Sequence, residues 1–188
     1  ASYNSGIYLY SSSDNAITGN ICNNNSHSGI WVYGPMFNTI TGNTCTNNNY
    51  GVSLSSSSNI NTITGNTCIF NSYGIYLYSS SNNTITGNTC NNNSYDGIYL
   101  YSSSDNAITG NTYNNNSVCG IYLYSSSDNT ITGNTCNNNS YDGIYLYSSS
   151  NNNTITGNTC NNNNEAGIYL DSSSNNNTVT GNTCIRGT

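Results

Sequence analysis

The chain has 188 residues, of which 4% are charged, and its formal net charge is −6 at pH 7. Because it contains no Lys and a single Arg, it lacks the basic side chains that contact phosphate, which argues against nucleic acid as a partner. No apolar run approaches the roughly 18 to 20 residues of a membrane-spanning helix, so the sequence predicts no membrane span.

The sequence consists of eight repeats with a period of 22 to 24 residues. The repeats align on Gly6, Gly29, Gly51, Gly74, Gly97, Gly120, Gly143 and Gly167. A unit this short cannot bury a core of its own, so the units must stack and share one. We therefore predict one β-solenoid domain over residues 1–188, built from eight stacked repeats without evident caps.

Each repeat is predicted to contain three short strands. In the first strand, Ile7 and Leu9 alternate with two tyrosines, and this period of two marks a strand with one buried face. A serine-rich turn follows, then a second strand with Ile17 and a third with Cys22. Identical repeats stack most simply with their strands parallel, so the fold class is all-β, a parallel β-solenoid of about eight coils.

Stacking turns every repeat position into a column that runs along the solenoid. Aliphatic columns that begin at Ile7, Leu9 and Ile17 are expected to form the core. One column contains asparagine in every repeat, and we interpret it as a ladder of amide hydrogen bonds between coils. It comprises Asn20, Asn43, Asn66, Asn88, Asn111, Asn134, Asn158 and Asn182.

The pattern Gly-Ile-x-Leu-x-x-Ser-x-x-Asn-x-Ile-x-Gly-Asn-x covers nearly the whole chain. It resembles the right-handed parallel β-helix repeat of NosD-like and carbohydrate-active surface proteins. The resemblance implies a single-stranded right-handed parallel β-helix, and a setting like that of the surface or sheath repeat proteins of methanogenic archaea. Because this family includes lyases, hydrolases, copper-centre assembly factors and structural repeats, the resemblance does not assign a function.

Seven of the eight cysteines share one column, and Cys119 lies just before the glycine of its repeat. They are interpreted either as a stack of small buried thiols or as vertical disulfides, since the coil spacing lies within the Cα separation that a disulfide allows. Pairing along the column leaves Cys119, which we expect near the surface, and Cys184 for bonds between subunits. The disulfide candidates are Cys22, Cys45, Cys68, Cys90, Cys119, Cys136, Cys160 and Cys184.

No metal site and no cofactor are predicted, because the cysteine column presents one ligand per coil instead of a closed tetrahedral set. Seven Asn-x-Ser/Thr sequons are candidates for glycosylation. They begin at Asn24, Asn82, Asn92, Asn115, Asn138, Asn152 and Asn176. Together with the cysteines, these sequons predict an extracellular or cell-surface location.

Two outward columns on the first strand are mainly aromatic, and we call their 13 aromatic residues the tyrosine face. Three interpretations stay open: the β-propensity of tyrosine, lateral packing against a second rod, and stacking of sugars on the rings. The tyrosine face comprises Tyr8, Tyr10, Trp31, Tyr33, Tyr76, Tyr78, Tyr99, Tyr101, Tyr122, Tyr124, Tyr145, Tyr147 and Tyr169.

The acidic residues form no recognisable catalytic constellation in the sequence. Glycoside hydrolysis needs two carboxyl groups at a defined separation. Asp105 and Asp128, however, occupy turn positions at which other repeats carry asparagine. A lyase would need a basic residue, and Arg186 lies at the end of the chain. The sequence therefore predicts no catalytic residue and no enzyme.

Open solenoid ends expose strand edges, and head-to-tail stacking of such ends propagates into fibres. The predicted function is therefore that of a structural extracellular protein, a subunit of a self-assembling filament, sheath or surface layer. Its main partner would be itself, through head-to-tail and lateral contacts, with glycans as a further partner. The alternative is a carbohydrate-binding or carbohydrate-processing surface β-helix module, and a third interpretation is a passive spacer.

Overall fold

The computed structural model describes residues 4–34 and 36–186. In this part of the chain there are 19 β-strands and no helix, so none that could cross a membrane. The strands wind into a parallel β-solenoid of about eight coils, which confirms the predicted fold class. In chain order they are β1 Ile7–Tyr10, β2 Ala16–Thr18, β3 Ile21–Asn23, β4 Ser28–Tyr33, β5 Thr39–Thr41, β6 Thr44–Thr46, β7 Tyr50–Ser55, β8 Thr62–Thr64, β9 Thr67–Ile69, β10 Tyr73–Tyr78, β11 Thr84–Thr86, β12 Ile98–Tyr101, β13 Ala107–Thr109, β14 Ile121–Tyr124, β15 Thr130–Thr132, β16 Ile144–Tyr147, β17 Thr154–Thr156, β18 Ile168–Leu170 and β19 Thr178–Thr180.

Three parallel sheets run along the solenoid, and each coil contributes to all of them. The first sheet has the order β1-β4-β7-β10-β12-β14-β16-β18, and the second runs from β2 through β5, β8, β11, β13, β15 and β17 to β19. The third sheet contains β3, β6 and β9, and single bridges between threonines continue it through the later coils. The predicted three strands per coil are thus present, with the third reduced to one bridge after β9.

Equivalent residues of neighbouring repeats pair directly across the sheets. Ile98 pairs with Ile121, and Leu100 pairs with Leu123. Because side chains alternate between the two faces of a strand, this register places every aliphatic column inside the solenoid. From Ile30 to Ile155 the aliphatic residues of the three inward columns are completely buried.

Three asparagine ladders hold the coils in register. In the predicted ladder, the backbone N–H and the Nδ2 of Asn88 both donate to Oδ1 of Asn111, at 2.8 and 3.0 Å. Nδ2 of Asn111 donates in turn to the carbonyl oxygen of Ile85 at 2.9 Å and to Oδ1 of Asn134 at 3.0 Å. Two further ladders repeat this arrangement, one running from Asn15 to Asn177 and one from Asn25 to Asn163.

Each coil turns at residues with left-handed backbone conformation. In the fifth coil these are Ser102, Asp105, Gly110 and Asn115, with φ between 48° and 63°. Glycine, asparagine and aspartate adopt this conformation at the lowest cost. Aspartates at the second of these corners, such as Asp105, therefore serve the turn, as the sequence predicts.

All seven sequon asparagines lie at exposed corners of this kind, where glycosylation stays a prediction.

The cysteine column lies inside the solenoid, next to the glycines. Six of its members, from Cys22 to Cys160, are buried, and Cys184 in the last coil is exposed. All eight cysteines are free thiols, so the vertical disulfides are not present in the structure. The expected surface position of Cys119 is wrong: its side chain is buried, because the position before the glycine faces inward in its coil. Tyr113 replaces cysteine in the fifth coil and is buried with a hydroxyl group that has no hydrogen-bond partner among the described residues.

Asp96 is a carboxyl group that is almost completely buried. Burial raises its pKa to about 7, and the backbone N–H of Cys119, which donates to Oδ1 at 2.9 Å, opposes this shift only in part. Because the folded chain holds the proton more tightly than the unfolded chain, this group favours folding most below about pH 4. Its contribution is lost as the pH rises through 7.

We expect Asn111→Ala to lower the free energy of unfolding by about 2 to 4 kcal/mol. The change leaves the buried backbone N–H of Asn88 without its acceptor. It also removes the Nδ2 donor from the carbonyl oxygen of Ile85 and from Oδ1 of Asn134, and buried polar groups that lose partners are costly. Urea unfolding measures the loss. Asn115→Gly is the matched control in the same coil, because it alters an exposed left-handed corner and should change stability little. Equal stability of the two variants would show that the ladder is not what holds the coils together.

We expect Asp96→Asn to remove part of the pH dependence of stability. An asparagine in this position keeps an oxygen that accepts the bond from Cys119 but never ionises. Relative to the variant, the wild-type chain should lose on the order of 3 kcal/mol of unfolding free energy between pH 4 and pH 8. Urea unfolding at both pH values measures this difference. Asp105→Asn at an exposed corner should behave as the wild type, and identical pH profiles for all three chains would contradict the assignment.

Candidate functional site

The tyrosine face covers the outer surface of the first sheet along nearly its whole length. Its members point outward because the residues between them, such as Leu100 and Leu123, point into the core. The rings stack along the solenoid axis: Tyr99 and Tyr122 have centroids 4.8 Å apart, and Tyr101 and Tyr124 lie 5.0 Å apart with planes 3° from parallel. These distances match the spacing of the coils, so in such stacked pairs one ring covers the face of the other and presents its edge and hydroxyl group to solvent. Two pairs of neighbours, Tyr76–Tyr99 and Tyr124–Tyr147, are instead tilted by 57° and 52°.

A third, shorter aromatic column extends this surface on one side. Tyr50 and Tyr73 stack at 5.6 Å, and Tyr73 and Tyr95 stack at 5.0 Å. These three residues were not predicted to belong to the aromatic surface, although each stands one or two positions before the glycine of its repeat. Comparing that position across the repeats would have shown them. They widen the aromatic surface in the third, fourth and fifth coils.

The third coil interrupts the tyrosine face, because Ser53 and Ser55 stand where its neighbours carry aromatic rings. The resulting cleft has a volume of about 370 Å³ and is lined by Trp31, Tyr33, Tyr76 and Tyr78, together with His27, Tyr50 and the two serines. We call it the serine notch. Nε1 of Trp31 donates to Oγ of Ser55 at 2.9 Å. Burial lowers the pKa of His27, so its imidazole is neutral at pH 7.

A second cleft lies at the other end of the first sheet. It has a volume of about 520 Å³ and is lined by Tyr141, Asp142, Tyr145, Glu165, Ala166 and Tyr169. Burial raises the pKa of the Asp142 carboxyl group, and the charge of Glu165 adds to this shift. The backbone N–H of Ala166, which donates to Oδ1 of Asp142 at 2.9 Å, has the opposite effect. We call this the acidic cleft.

Tyr145 connects the acidic cleft to a third carboxyl group. Burial, aided by the charge of Asp171, raises the pKa of Tyr145 to about 12, and its hydroxyl group donates to Oδ2 of Asp171 at 3.4 Å. A carboxyl group with a raised pKa beside a second carboxyl group is an arrangement that supports general acid–base chemistry on a sugar. Asp142 and Glu165 were not recognised from the sequence, because they are 23 residues apart and become neighbours only through the register of the coils.

Two family models match the sequence. One, described as a right handed beta helix region, matches residues 50–187. The other, described as a periplasmic copper-binding protein (NosD), matches residues 1–72. No curated protein matches the chain.

The residues within the NosD match do not fit a copper centre. Copper is held by thiolate, thioether or imidazole ligands. Burial raises the pKa of Cys22 to about 11. A hydrogen bond with Cys68, together with burial, raises the pKa of Cys45 further. A hydrogen bond with Cys45 lowers the pKa of Cys68, but a hydrogen bond with Cys90 and burial outweigh this effect, so all three thiols keep their protons at neutral pH. His27 is the sole imidazole of the chain. Among residues 4–34 and 36–186 there is no group of three or more His, Cys, Asp or Glu side chains placed to hold a metal ion.

Several solved structures share the fold of this chain, and two of those described here are named as epimerases of polysaccharides. The periplasmic alginate epimerase AlgG is 22% identical, with a TM-score of 0.92 over 96% of this chain and 47% of its own. The A-module of mannuronan C-5 epimerase AlgE4 from Azotobacter vinelandii is 20% identical, with a TM-score of 0.75 over 93% of this chain and 53% of its own. The Dettilon tailspike protein (gp208) is 22% identical, with a TM-score of 0.70 over 85% of this chain and 37% of its own.

This chain thus spans about half the length of the epimerases, and at these identities the likeness shows the fold alone. It nevertheless corrects the prediction that the chain is not an enzyme, because two structures that share its fold over nearly its full length are enzymes. The absence of a recognisable constellation in the sequence was therefore no ground for excluding catalysis. The match over residues 50–187, together with the parallel coils, shows that the chain belongs to the right-handed β-helix family.

Proposed function

We propose that this chain is a carbohydrate-binding β-helix module that holds a glycan along its tyrosine face. The observation that carries the proposal is that two clefts open beside aromatic rings of this one sheet, one with serine hydroxyl groups and one with carboxyl groups. Sugars present apolar ring faces as well as many hydroxyl groups. A surface of tyrosine rings with polar groups between them is complementary to both.

The shared fold supports this proposal. Alginate and mannuronan, the polymers named for the two epimerases, are both carbohydrates. The carbohydrate module is therefore favoured over a self-assembling filament or sheath subunit, which none of the structures named above supports. The expected likeness to archaeal sheath proteins also lacks support. We further propose a secreted location, since AlgG and the matched NosD family are both described as periplasmic.

Processing of the bound glycan is a second candidate function, which the acidic cleft favours. Asp142 and Glu165 lie on adjacent coils beside Tyr145 and Tyr169, so a glycan that follows the tyrosine face reaches both carboxyl groups. Asp142, with its raised pKa, would hold a proton for transfer, and Glu165 would accept one. Binding and processing would then use one continuous surface.

Affinity electrophoresis against a panel of soluble polysaccharides tests the proposed binding. We expect at least one polysaccharide to retard the wild-type chain. Replacing Tyr122 and Tyr124 together by alanine should weaken that retardation at least ten-fold, because it removes two neighbouring rings of the face. Thr132→Ala with Thr156→Ala on the second sheet is the matched control and should leave binding unchanged. Equal loss in both double variants, or retardation by no polysaccharide, would contradict the proposal.

Incubation with each polysaccharide that binds, followed by chromatographic analysis of chain length and sugar composition, tests processing. We expect Asp142→Asn and Glu165→Gln each to lower the rate at least one hundred-fold while the retardation persists, since a general acid or base contributes about 10² to 10⁴ in rate. If bound polysaccharides stay unchanged, the processing function is wrong and the binding function is unaffected.

A further inference from the structure

The serine notch is a place inside the tyrosine face where ring faces are exposed. In most other coils the rings stack on one another, as Tyr122 does on Tyr145 at 4.9 Å with planes 12° apart. The pairs Tyr76–Tyr99 and Tyr124–Tyr147 are tilted instead, with planes 57° and 52° apart. A ring that is covered on both sides offers a ligand only its edge and its hydroxyl group. An apolar sugar face gains most from contact with a ring face, so an interruption of a column is the strongest site for it.

Ser55 interrupts the outer of the two aromatic columns. Tyr33 stacks on Tyr10 at 5.6 Å, and Tyr78 stacks on Tyr101 at 5.3 Å, both on the sides that face away from Ser55. Within the described residues no parallel ring is stacked on the sides that face Ser55. Trp31 meets Tyr33 at 5.7 Å with planes 84° apart, and its Nε1 reaches Oγ of Ser55 at the base of the gap. In the inner column the interruption is closed, because Tyr50 stacks on Tyr76 at 4.7 Å and also contacts His27, whose ring lies 4.4 Å from that of Trp31. The open gap is thus between Tyr33 and Tyr78.

The size of this gap suits one sugar ring. Tyr33 and Tyr78 belong to coils two apart, so their ring centres are separated by roughly 9 to 10 Å along the axis, the space of one missing ring. Stacked rings of this column stand 5.0 to 5.6 Å apart between centres. One pyranose ring can therefore take the place of the missing ring, in van der Waals contact with both walls. Oγ of Ser55, which already accepts from Trp31, lies at the floor of the gap within reach of a sugar hydroxyl group.

The charges around the notch select an uncharged sugar. Its lining contains no Lys, Arg, Asp or Glu, and His27 is neutral at pH 7. Arg186 is the one Lys or Arg side chain of the sequence, and it follows the strands of the eighth coil. It is therefore about five coil spacings, roughly 24 Å, from the third coil, where the notch lies. This distance exceeds the Debye length of about 8 Å at physiological salt, so the charge of Arg186 is screened from the notch. A uronate carboxylate would find no cation there.

We infer that the serine notch binds one uncharged pyranose residue of a glycan, held between the rings of Tyr33 and Tyr78. This inference rests on the proposed carbohydrate-binding function and gives it a principal subsite and a substrate class. It separates this chain from a binder of acidic polymers such as those named for the epimerases with the same fold.

Tryptophan fluorescence tests the inference directly, because Trp31 is the sole tryptophan of the chain and lines the notch. The chain is titrated with neutral hexasaccharides of glucose, xylose and mannose, and with hexamannuronate and hexagalacturonate as acidic probes. We expect a neutral hexasaccharide to shift the emission of Trp31 and to bind at least ten-fold more tightly than either acidic probe. Ser55→Tyr fills the gap with the residue that most other coils carry, and should weaken binding at least ten-fold.

Ser117→Tyr, at an exposed position away from the first sheet, is the matched control and should bind as the wild type. Should Ser55→Tyr fail to fold, Tyr78→Ala removes one wall and should weaken binding to a similar extent. Tight binding of an acidic probe with a shift in Trp31 emission would overturn the substrate class. If calorimetry detects binding but the emission of Trp31 does not change, the glycan binds elsewhere. The assignment of the subsite to the serine notch would then be wrong, while the proposed carbohydrate-binding function would stand. Failure of every glycan to bind, including the polysaccharides of the electrophoresis panel, would overturn the proposed function itself.

Discussion

The amide ladders are the interaction on which the rest of the structure depends. An asparagine such as Asn134 bonds the coil before it through Oδ1 and the coil after it through Nδ2, and three such columns run through the interior. Each side chain satisfies buried backbone groups as well, as Asn134 does for the carbonyl oxygen of Ile108 at 2.9 Å. Because a slip of one residue would break all three ladders at once, the coils have one register.

That register has a consequence for the surface. It brings equivalent side chains to a spacing of about 4.8 Å, which is close to the stacking distance of aromatic rings. Most neighbouring tyrosines in a column therefore cover one another's ring faces and present their edges and hydroxyl groups to solvent. Departures from the repeat are where distinct chemistry arises. The serine notch arises from Ser53 and Ser55, and the acidic cleft arises from Asp142 and Glu165.

Much of the fold was predictable because each repeat restates the same physical constraints. Three features are visible along the chain and depend on local pattern alone. They are the alternation of Ile7 and Leu9 with tyrosine, the regular spacing of the glycines, and the column of asparagines that begins at Asn20. The two further ladders were equally visible in the sequence but were not recognised. The burial of Cys119 was missed because the aspartates at the same position in neighbouring repeats suggested an exposed site, whereas the residues before the glycine are buried or half-buried throughout.

The candidate sites were harder to predict, because they depend on contacts between coils. Asp142 and Glu165 look like isolated loop residues until stacking brings them into one cleft. The serine notch is visible in the sequence as two missing aromatics, but its meaning depends on ring orientation. Only the stacked geometry shows that faces are covered elsewhere, and that Tyr50 closes one half of the gap while the half at Ser55 stays open.

A crystal structure of the chain with a neutral hexasaccharide that binds it would test the central claim most directly. We expect sugar density along the outer surface of the first sheet, with one pyranose ring between Tyr33 and Tyr78. Sugar density on the second or third sheet, with the tyrosine face bare, would contradict it.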